Sequence, residues 1–158
     1  MKYSGWVLLA ALLAGCTPGA ATLPAGSSGP ISGKTVTIHV NLTLYQTQTN
    51  TSAGTSAGYS PAITNVNVGD AIRFMNTDGT GINHTATLIP GATTFPASSP
   101  FTASALTQSG TMISQSWSSG LLQPGSSSQT ITINQPGTYI FGCFYHYGSP
   151  MRAEIVAQ

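Results

Sequence analysis

The sequence predicts an all-β domain, specifically a Greek-key β-sandwich of about seven to eight strands. Short segments in which apolar and polar residues alternate recur along residues 34–158, and such alternation is typical of strands with one buried face. Turn residues, chiefly Gly, Pro, Asn and Asp, separate these segments. The composition is dominated by Ser, Thr, Gly and Ala with short runs of Val and Ile, which favours strands and turns over helices.

The first fifteen residues have the pattern of an export signal. Lys2 precedes an apolar run that is about half the ~20 residues a membrane-spanning helix needs. The run ends at Leu13-Ala14-Gly15-Cys16, which resembles the lipobox of bacterial lipoproteins, in which cleavage precedes the cysteine and its thiol receives lipid. We therefore expect residues 1–15 to be removed and Cys16 to anchor the chain to a membrane outside the cytoplasm, in the periplasm or at the cell surface.

Residues 16–33 form the expected linker between this anchor and a single domain at residues 34–158. The linker is rich in Pro, Gly, Ala and Ser and carries no charge, which predicts a flexible tether. A lipid on Cys16 would leave Cys143 without a disulfide partner in an oxidising compartment. We interpret this lone thiol as a metal ligand, rather than as a small buried hydrophobe, because a histidine and a methionine follow it closely.

The first strand of the domain is predicted at residues 34–45. Its apolar residues alternate strictly and face one side: Val36, Ile38, Val40, Leu42 and Leu44. His39 falls on the opposite, polar face, which predicts a solvated surface residue rather than an interior ligand. Residues 46–60 have no hydrophobic period and are predicted to form a polar loop.

Two further strands are predicted at residues 63–68 and 71–76, joined by a turn at Gly69-Asp70. Met75 lies within the second of them, where packing is the ordinary use of methionine. Another strand begins near His84, directly after the turn at residues 78–81. His84 is therefore placed at a strand end, where it can meet a second loop at the same end of the sandwich.

Residues 90–116 are predicted to form an irregular connection, and nothing in the spacing of Met112 marks it as a ligand. Three strands then follow at residues 129–133, 138–142 and 151–156. The second of these strands leads directly into Cys143.

The loop after residue 142 carries the candidate metal ligands. Cys143, His146 and Met151 bring a thiolate, an imidazole and a thioether together on one short turn. Two histidines, one cysteine and a weakly bound axial methionine are the ligand set of a blue copper electron-transfer centre. The second imidazole must come from His39 or His84, and strand periodicity favours His84.

From about Val66 to the C-terminus the chain resembles the cupredoxins, especially the plastocyanin-like bacterial members. The resemblance rests on an ordered set of motifs: Val68-Gly69-Asp70, Asn83-His84-Thr85, Ser119-Gly120-Leu121 with Pro124-Gly125, Pro136-Gly137-Thr138-Tyr139, and the C-x2-H-x4-M pattern of Cys143, His146 and Met151.

The resemblance implies one type 1 copper ion that accepts and donates single electrons. His84, Cys143 and His146 would be equatorial ligands and Met151 the axial ligand. Two features depart from the family pattern: Thr85 stands where plastocyanin and azurin carry Asn, and the connection from His84 to Cys143 is longer than in a minimal cupredoxin. The expected partners are redox proteins that dock on an uncharged patch near His146, formed by Tyr147, Pro150 and the nearby loops.

Charge and histidine content limit the other function classes. Without Lys2, the four basic residues of the chain fall to three, equal to the three acidic residues. No basic patch exists for nucleic acid, and a monomer is expected. Multicopper oxidases and nitrite reductases need further histidines that a chain with three does not supply, so no enzyme is predicted. A copper carrier or storage module without an electron-transfer role stays open, as does a tetrahedral zinc site.

Overall fold

The computed structural model describes residues 33–158; the predicted signal segment, Cys16 and the linker up to residue 32 lie outside the described residues. The regular secondary structure within that range is all β-strand apart from one 3-10 helix at Ala103–Leu106. The strands are β1 (Thr35–Val40), β2 (Thr49–Thr51), β3 (Gly54–Ser56), β4 (Tyr59–Ser60), β5 (Ile63–Val66), β6 (Ala71–Asn76), β7 (Thr87–Leu88), β8 (Gln108–Ser109), β9 (Ser118–Ser119), β10 (Ile131–Thr132), β11 (Gly137–Gly142) and β12 (Arg152–Ala157).

Two sheets form the sandwich. The first has the strand order β10-β6-β1-β4 and the second β5-β12-β11-β7-β9-β8, while β2 and β3 form a separate hairpin. One apolar cluster joins both sheets and contains Ile38 and Phe74 from the first with Phe141 and Ile155 from the second. The predicted all-β Greek-key sandwich is confirmed. It is not wholly antiparallel, because β1 pairs with β6 and β5 pairs with β12 in parallel.

The turn at Gly69-Asp70 lies where the sequence predicts it, but β5 and β6 do not pair across it. They belong to different sheets, so the turn is a corner of the sandwich. Gly69 has φ 98°, which a residue with a Cβ rarely adopts. The Asp70 carboxylate accepts the backbone N–H groups of Asn67 (2.9 Å) and Lys34 (3.0 Å) and fixes this corner.

The first strand is shorter than predicted: the sequence predicts a strand over residues 34–45, but β1 ends at Val40. The side chain of Asn41 accepts the Leu44 N–H and donates to the Thr77 carbonyl, both at 2.8 Å. This side-chain bonding closes a turn in place of the strand. Leu44, predicted to face the core, is consequently 69% exposed.

Residues 46–60 are not a simple polar loop, and that prediction is wrong. They contain the β2–β3 hairpin and β4. The buried Glu154 carboxylate in β12 anchors the hairpin, since it accepts the Ser52 hydroxyl (2.5 Å) and the Ala53 N–H (3.1 Å). Burial raises the pKa of Glu154, but the hydrogen bonds from residues 51–53 outweigh that effect, and the net shift of the pKa is downward.

Glu154→Gln is expected to destabilise the domain by about 1.5–3 kcal/mol at neutral pH, because the negative charge is removed and the amide NH2 that replaces one carboxylate oxygen cannot accept a hydrogen bond from Ser52 or Ala53. A carboxylate whose folded pKa is lowered stabilises the protein above its unfolded pKa, and this contribution disappears as the pH falls through the folded pKa. Urea unfolding at neutral pH and in acid should therefore show a gap between wild type and variant that closes in acid. A gap of equal size at both pH values would contradict this role for Glu154.

The connection at residues 90–116 is largely irregular, as predicted, apart from the 3-10 helix and β8. Its first part covers the outer face of the second sheet, where Phe95 and Phe101 pack with Ile140 and Tyr147 in a second apolar cluster. This cover explains why the second half of β11, from Ile140 to Gly142, is buried on both faces. An open groove of about 450 Å³ between this connection and Trp117 lies beside the cluster.

Among residues 33–158, no helix is long and apolar enough to cross a membrane.

Candidate metal centre

The loop between β11 and β12 holds three of the four predicted site residues in a tight backbone arrangement. Cys143 donates its N–H to the Met151 carbonyl (3.0 Å), and Met151 donates its own N–H to the His146 carbonyl (3.1 Å). The loop therefore folds back on itself between two strands that are already paired. The three side chains are held at one end of the sandwich.

His84 reaches the same end from the other part of the chain. Its backbone exchanges two hydrogen bonds with Leu122 (3.1 and 2.8 Å), so it is fixed to a neighbouring segment although β7 begins only at Thr87. The Cys143 Sγ lies 3.9 Å from His84 Nδ1 and 3.6 Å from His146 Nδ1. The potential ligand atoms of these three residues all lie within 4.8 Å of one another.

Met151 is fully buried and packs in the same apolar cluster as Cys143. The segment before β4 covers it: Ala57 pairs with Met151 in a parallel bridge. Gly58 lies so close that a Cβ there would come within 3.3 Å of the Met151 Sδ. Residues 57 and 58 could not be assigned to this site from the sequence, because the stretch around them has no hydrophobic period.

The other candidate ligands considered from the sequence do not join this group. His39 lies in β1 on the face opposite Ile38 and Val40 and is not part of the cluster of ligand atoms. Met75, in β6, and Met112 are both half-buried.

The electrostatics of the pocket suit metal ligation. Burial lowers the pKa of both His84 and His146, which keeps the imidazoles neutral and their ring nitrogens free to coordinate near neutral pH. Burial also raises the pKa of the Cys143 thiol, against several hydrogen bonds that lower it. A metal that binds the thiolate must therefore displace the thiol proton.

Thr85 joins the His84 segment to the cysteine loop. Its backbone N–H points at the Cys143 Sγ (3.4 Å), and its hydroxyl oxygen accepts the Phe144 N–H (2.8 Å). Tyr59 in turn donates its hydroxyl to the Thr85 carbonyl (2.6 Å). Threonine thus supplies a hydrogen bond between the two ligand segments at the position where the resemblance leads one to expect asparagine.

Thr85→Val is expected to destabilise the protein by about 1–3 kcal/mol, because valine has the same shape but leaves the Phe144 N–H without a partner. Amide hydrogen exchange at Phe144 should accelerate, and thermal unfolding should shift downward. Thr87→Val, a matched change at a buried threonine whose hydroxyl bonds only to Ser118, is the control. Unchanged exchange at Phe144 in Thr85→Val would contradict the proposed link.

Asp78 is a site residue that the sequence reasoning missed, because residues 78–81 read only as a turn. Its carboxylate Oδ2 lies 3.2 Å from His84 Nε2, and both side chains are fully buried. Burial raises the pKa of Asp78, but hydrogen bonds from Thr80 and His84 outweigh burial and lower it to about 2. The carboxylate is therefore ionised beside a histidine of the cluster.

The donor set identifies the class of metal that fits. A thiolate and a thioether are soft ligands and imidazoles are borderline, a combination that suits copper. Magnesium and calcium prefer oxygen ligands, and none of the four side chains offers one. Because Cys143, His84 and Met151 are all fully buried, the pocket also excludes water from most of its lining.

The profile of a family described as copper binding proteins, plastocyanin/azurin family, matches residues 45–158. Among solved structures, a purple cupredoxin from Nitrosopumilus maritimus shares 17% identity over 78% of this chain and 99% of that chain, with a TM-score of 0.48. An auracyanin from Roseiflexus castenholzii shares 20% identity over 78% and 96% of the two chains (TM-score 0.46). The oxidised plastocyanin of Dryopteris crassirhizoma shares 20% over 78% and 100% (TM-score 0.46). No curated protein matches the chain.

Proposed function

The chain belongs to the plastocyanin/azurin family of copper binding proteins. We propose that it is a mononuclear blue copper protein that carries single electrons between redox proteins outside the cytoplasm. One observation carries the proposal: the ligand atoms of His84, Cys143 and His146 lie within 4.8 Å of one another in a pocket that Met151 helps to close. In this role the protein passes electrons between partners and does not itself convert a substrate.

The chain's own residues would hold the metal in a fixed environment. Copper, when bound, supplies a centre that alternates between Cu(I) and Cu(II). Cys143, His84 and His146 would bind it, with Met151 as the weaker fourth ligand. The backbone hydrogen bonds within the cysteine loop and the Thr85 bridge restrict ligand movement, so little rearrangement would accompany a change of charge.

The end of the sandwich around His146 is suited to brief contacts with a partner. Leu44, Leu121 and Tyr145 are large exposed apolar side chains. Each is next in sequence to a residue that belongs to the site or contacts it. Leu44 follows Thr43, whose hydroxyl contacts Asp78. Leu121 precedes Leu122, which pairs with His84, and Tyr145 precedes His146.

We call Leu44, Leu121 and Tyr145 the apolar patch; Tyr147, which the sequence led us to expect there, is buried and does not contribute. His146, which is only half-buried, lies beside it and would pass electrons to a docked partner. Small, weak interfaces are typical of such redox encounters. We infer that the partner presents an apolar, uncharged surface, since the patch itself carries no charge.

The proposed location rests on the N-terminal sequence. The lipobox-like Leu13-Ala14-Gly15-Cys16 supports a lipid on Cys16, and the uncharged linker that follows would let the domain reach partners above a membrane. Mass spectrometry of the chain expressed in a bacterium tests this part. A mature chain that begins at an acylated Cys16 is expected, and an unmodified Cys16 would refute the anchor.

The function is tested by the visible and electron paramagnetic resonance spectra of the purified full chain with Cu(II), followed by cyclic voltammetry. An intense blue band, narrow copper hyperfine splitting and a reversible one-electron wave are expected. A weak band with ready loss of Cu(I) to a chelator would favour the carrier or storage alternative. A colourless chain that binds zinc more tightly than copper would favour a zinc site.

Leu121→Asp is expected to slow electron self-exchange about tenfold at low salt. In self-exchange two copies meet through the same patch, so two carboxylates would face each other and destabilise the encounter by about 1.4 kcal/mol. Val68→Asp is the matched control, because Val68 is 41% exposed against 40% for Leu121. Val68 lies beside the far end of β12, at the opposite end of the sandwich from the metal loop. Added salt should shrink the deficit of Leu121→Asp. Equal slowing by both variants would argue against docking at the apolar patch.

A further inference from the structure

We propose that Asp78 is a positioning residue of the metal centre, which fixes the tautomer and orientation of His84 and adds a buried negative charge that favours Cu(II) over Cu(I). The inference rests on the proposed function for its redox part. Its structural part concerns the metal-free chain and can be tested without copper.

The two ring nitrogens of His84 face different groups. Nε2 lies 3.2 Å from the Asp78 Oδ2, and Nδ1 lies 3.9 Å from the Cys143 Sγ. An ionised carboxylate only accepts hydrogen bonds, so the imidazole proton must be on Nε2 for the contact to be favourable. The lone pair of Nδ1 is then free and directed toward the cluster of ligand atoms, as a metal ligand requires.

The carboxylate is itself held firmly. Its Oδ1 accepts the backbone N–H of Thr80 (2.9 Å) and also the Thr80 hydroxyl. The Asp78 N–H donates to the Asn76 side-chain oxygen (2.9 Å), and the Asn76 amide donates to the Leu122 carbonyl (2.9 Å). Since Leu122 is also the backbone partner of His84, one hydrogen-bonded frame fixes both the imidazole and the carboxylate.

The charge of Asp78 acts on the redox balance. A carboxylate that accepts a hydrogen bond from a ligating imidazole raises the basicity of that ligand, and loss of such a partner typically lowers metal affinity by 10–100-fold. The more highly charged Cu(II) gains more from a basic ligand and a nearby negative charge than Cu(I) does. Asp78 should therefore lower the reduction potential.

Asp78→Asn tests this inference with a minimal change of shape. Because the Thr80 N–H donates a hydrogen bond to the Oδ1 position, the amide oxygen of the new side chain, and not its NH2 group, is expected to occupy that position. The amide NH2 group is then left facing His84 Nε2, where it can only donate. The proton of the metal-free imidazole is expected to move to Nδ1, which blocks the ligand nitrogen.

The first measurement is a long-range proton–nitrogen correlation spectrum of the histidine rings in the metal-free full chain. Wild type is expected to carry the His84 proton on Nε2 and Asp78→Asn to carry it on Nδ1. The second measurement is copper affinity and reduction potential. Cu(II) affinity should fall 10–100-fold relative to Cu(I) in the variant, which raises the potential by about 60–120 mV at 59 mV per tenfold change.

Asp70→Asn is the matched control. Asp70 is also buried and accepts two backbone N–H groups, but it precedes β6 whereas Asp78 follows it, so the two carboxylates are about 20 Å apart. This control should leave the His84 tautomer and the potential unchanged, whatever its effect on stability.

Two results would overturn the inference: a wild-type His84 protonated on Nδ1, or an Asp78→Asn chain that folds with unchanged tautomer, affinity and potential. The wild-type spectrum decides the matter even if the variant does not fold. Failure of the proposed function would be distinct, since the wild-type chain would then show no blue band while the tautomer measurement still stands.

Discussion

Cys143→Ala is expected to abolish the intense blue band and to reduce copper binding to a weak, ordinary Cu(II) signal. The intense absorption of a blue copper centre depends on its single thiolate ligand, and Cys143 is the free cysteine among the described residues. His84, His146 and Met151 would remain, but three ligands without the thiolate hold Cu(I) and Cu(II) far less well.

The effect of Cys143→Ala on the fold itself should be small by comparison. Deletion of one small buried group costs about 1 kcal/mol in the metal-free chain. By contrast, ligand linkage predicts that copper at one hundred times its dissociation constant stabilises the wild-type chain by about 2.7 kcal/mol and leaves the variant nearly unaffected. Chemical unfolding of both chains, with and without copper, separates these two contributions.

Met75→Leu is a suitable control for Cys143→Ala, because Met75 is half-buried in β6, where its side chain lies on the face opposite the buried Phe74 and Asn76. It should retain the blue band and the full stabilisation by copper. A Cys143→Ala chain that kept the blue band would refute the ligand assignment. A wild-type chain that gained no stability from copper would refute the metal site as a whole.

The sequence could predict the sandwich and the short loop of candidate ligands for physical reasons. Strand alternation has a period of two residues and is visible in a short stretch such as 34–40. Cys143, His146 and Met151 are close in sequence, so their closeness in space follows from the length of the loop. His84 could be chosen over His39 because neighbouring side chains of a strand point to opposite faces, and His39 lies between Ile38 and Val40, which face the core.

The contacts that complete the site could not be predicted in the same way. Asp78 reaches His84 only because the turn at residues 78–81 folds back, and Glu154 reaches Ser52 across 102 residues of sequence. The strand pairs β1–β6 and β5–β12 depend on which sheet each strand enters, and the alternation pattern is the same in either sheet. Such long-range choices are decided by packing of the whole domain.

The segment before β4 illustrates the same limit and leads to a strong prediction. Residues 46–60 look like a polar loop, yet Gly58 lies against the Met151 side chain with φ +74°. A Cβ at this position would come 2.6 Å from the Met151 Cγ and 3.3 Å from its Sδ. Met151, the predicted axial ligand, can therefore occupy its observed position only if residue 58 has no side chain.

Gly58→Ala is expected to destabilise the domain by about 2–5 kcal/mol. The left-handed backbone conformation costs a residue with a Cβ about 1–2 kcal/mol, and overpacking against a fully buried side chain costs typically 1–3 kcal/mol more. Displacement of the thioether should also change the copper hyperfine splitting and the reduction potential, because the axial ligand tunes that potential.

Gly91→Ala separates the two contributions. Gly91 has φ +70°, close to that of Gly58, but a Cβ there would meet nothing within 4 Å. It should lose only the 1–2 kcal/mol of backbone strain and keep the spectrum and potential of wild type. Urea unfolding, electron paramagnetic resonance and voltammetry of both variants make the comparison. If Gly58→Ala matched Gly91→Ala in all three measurements, Gly58 would have no influence on Met151, and the close packing between them would not constrain the metal centre.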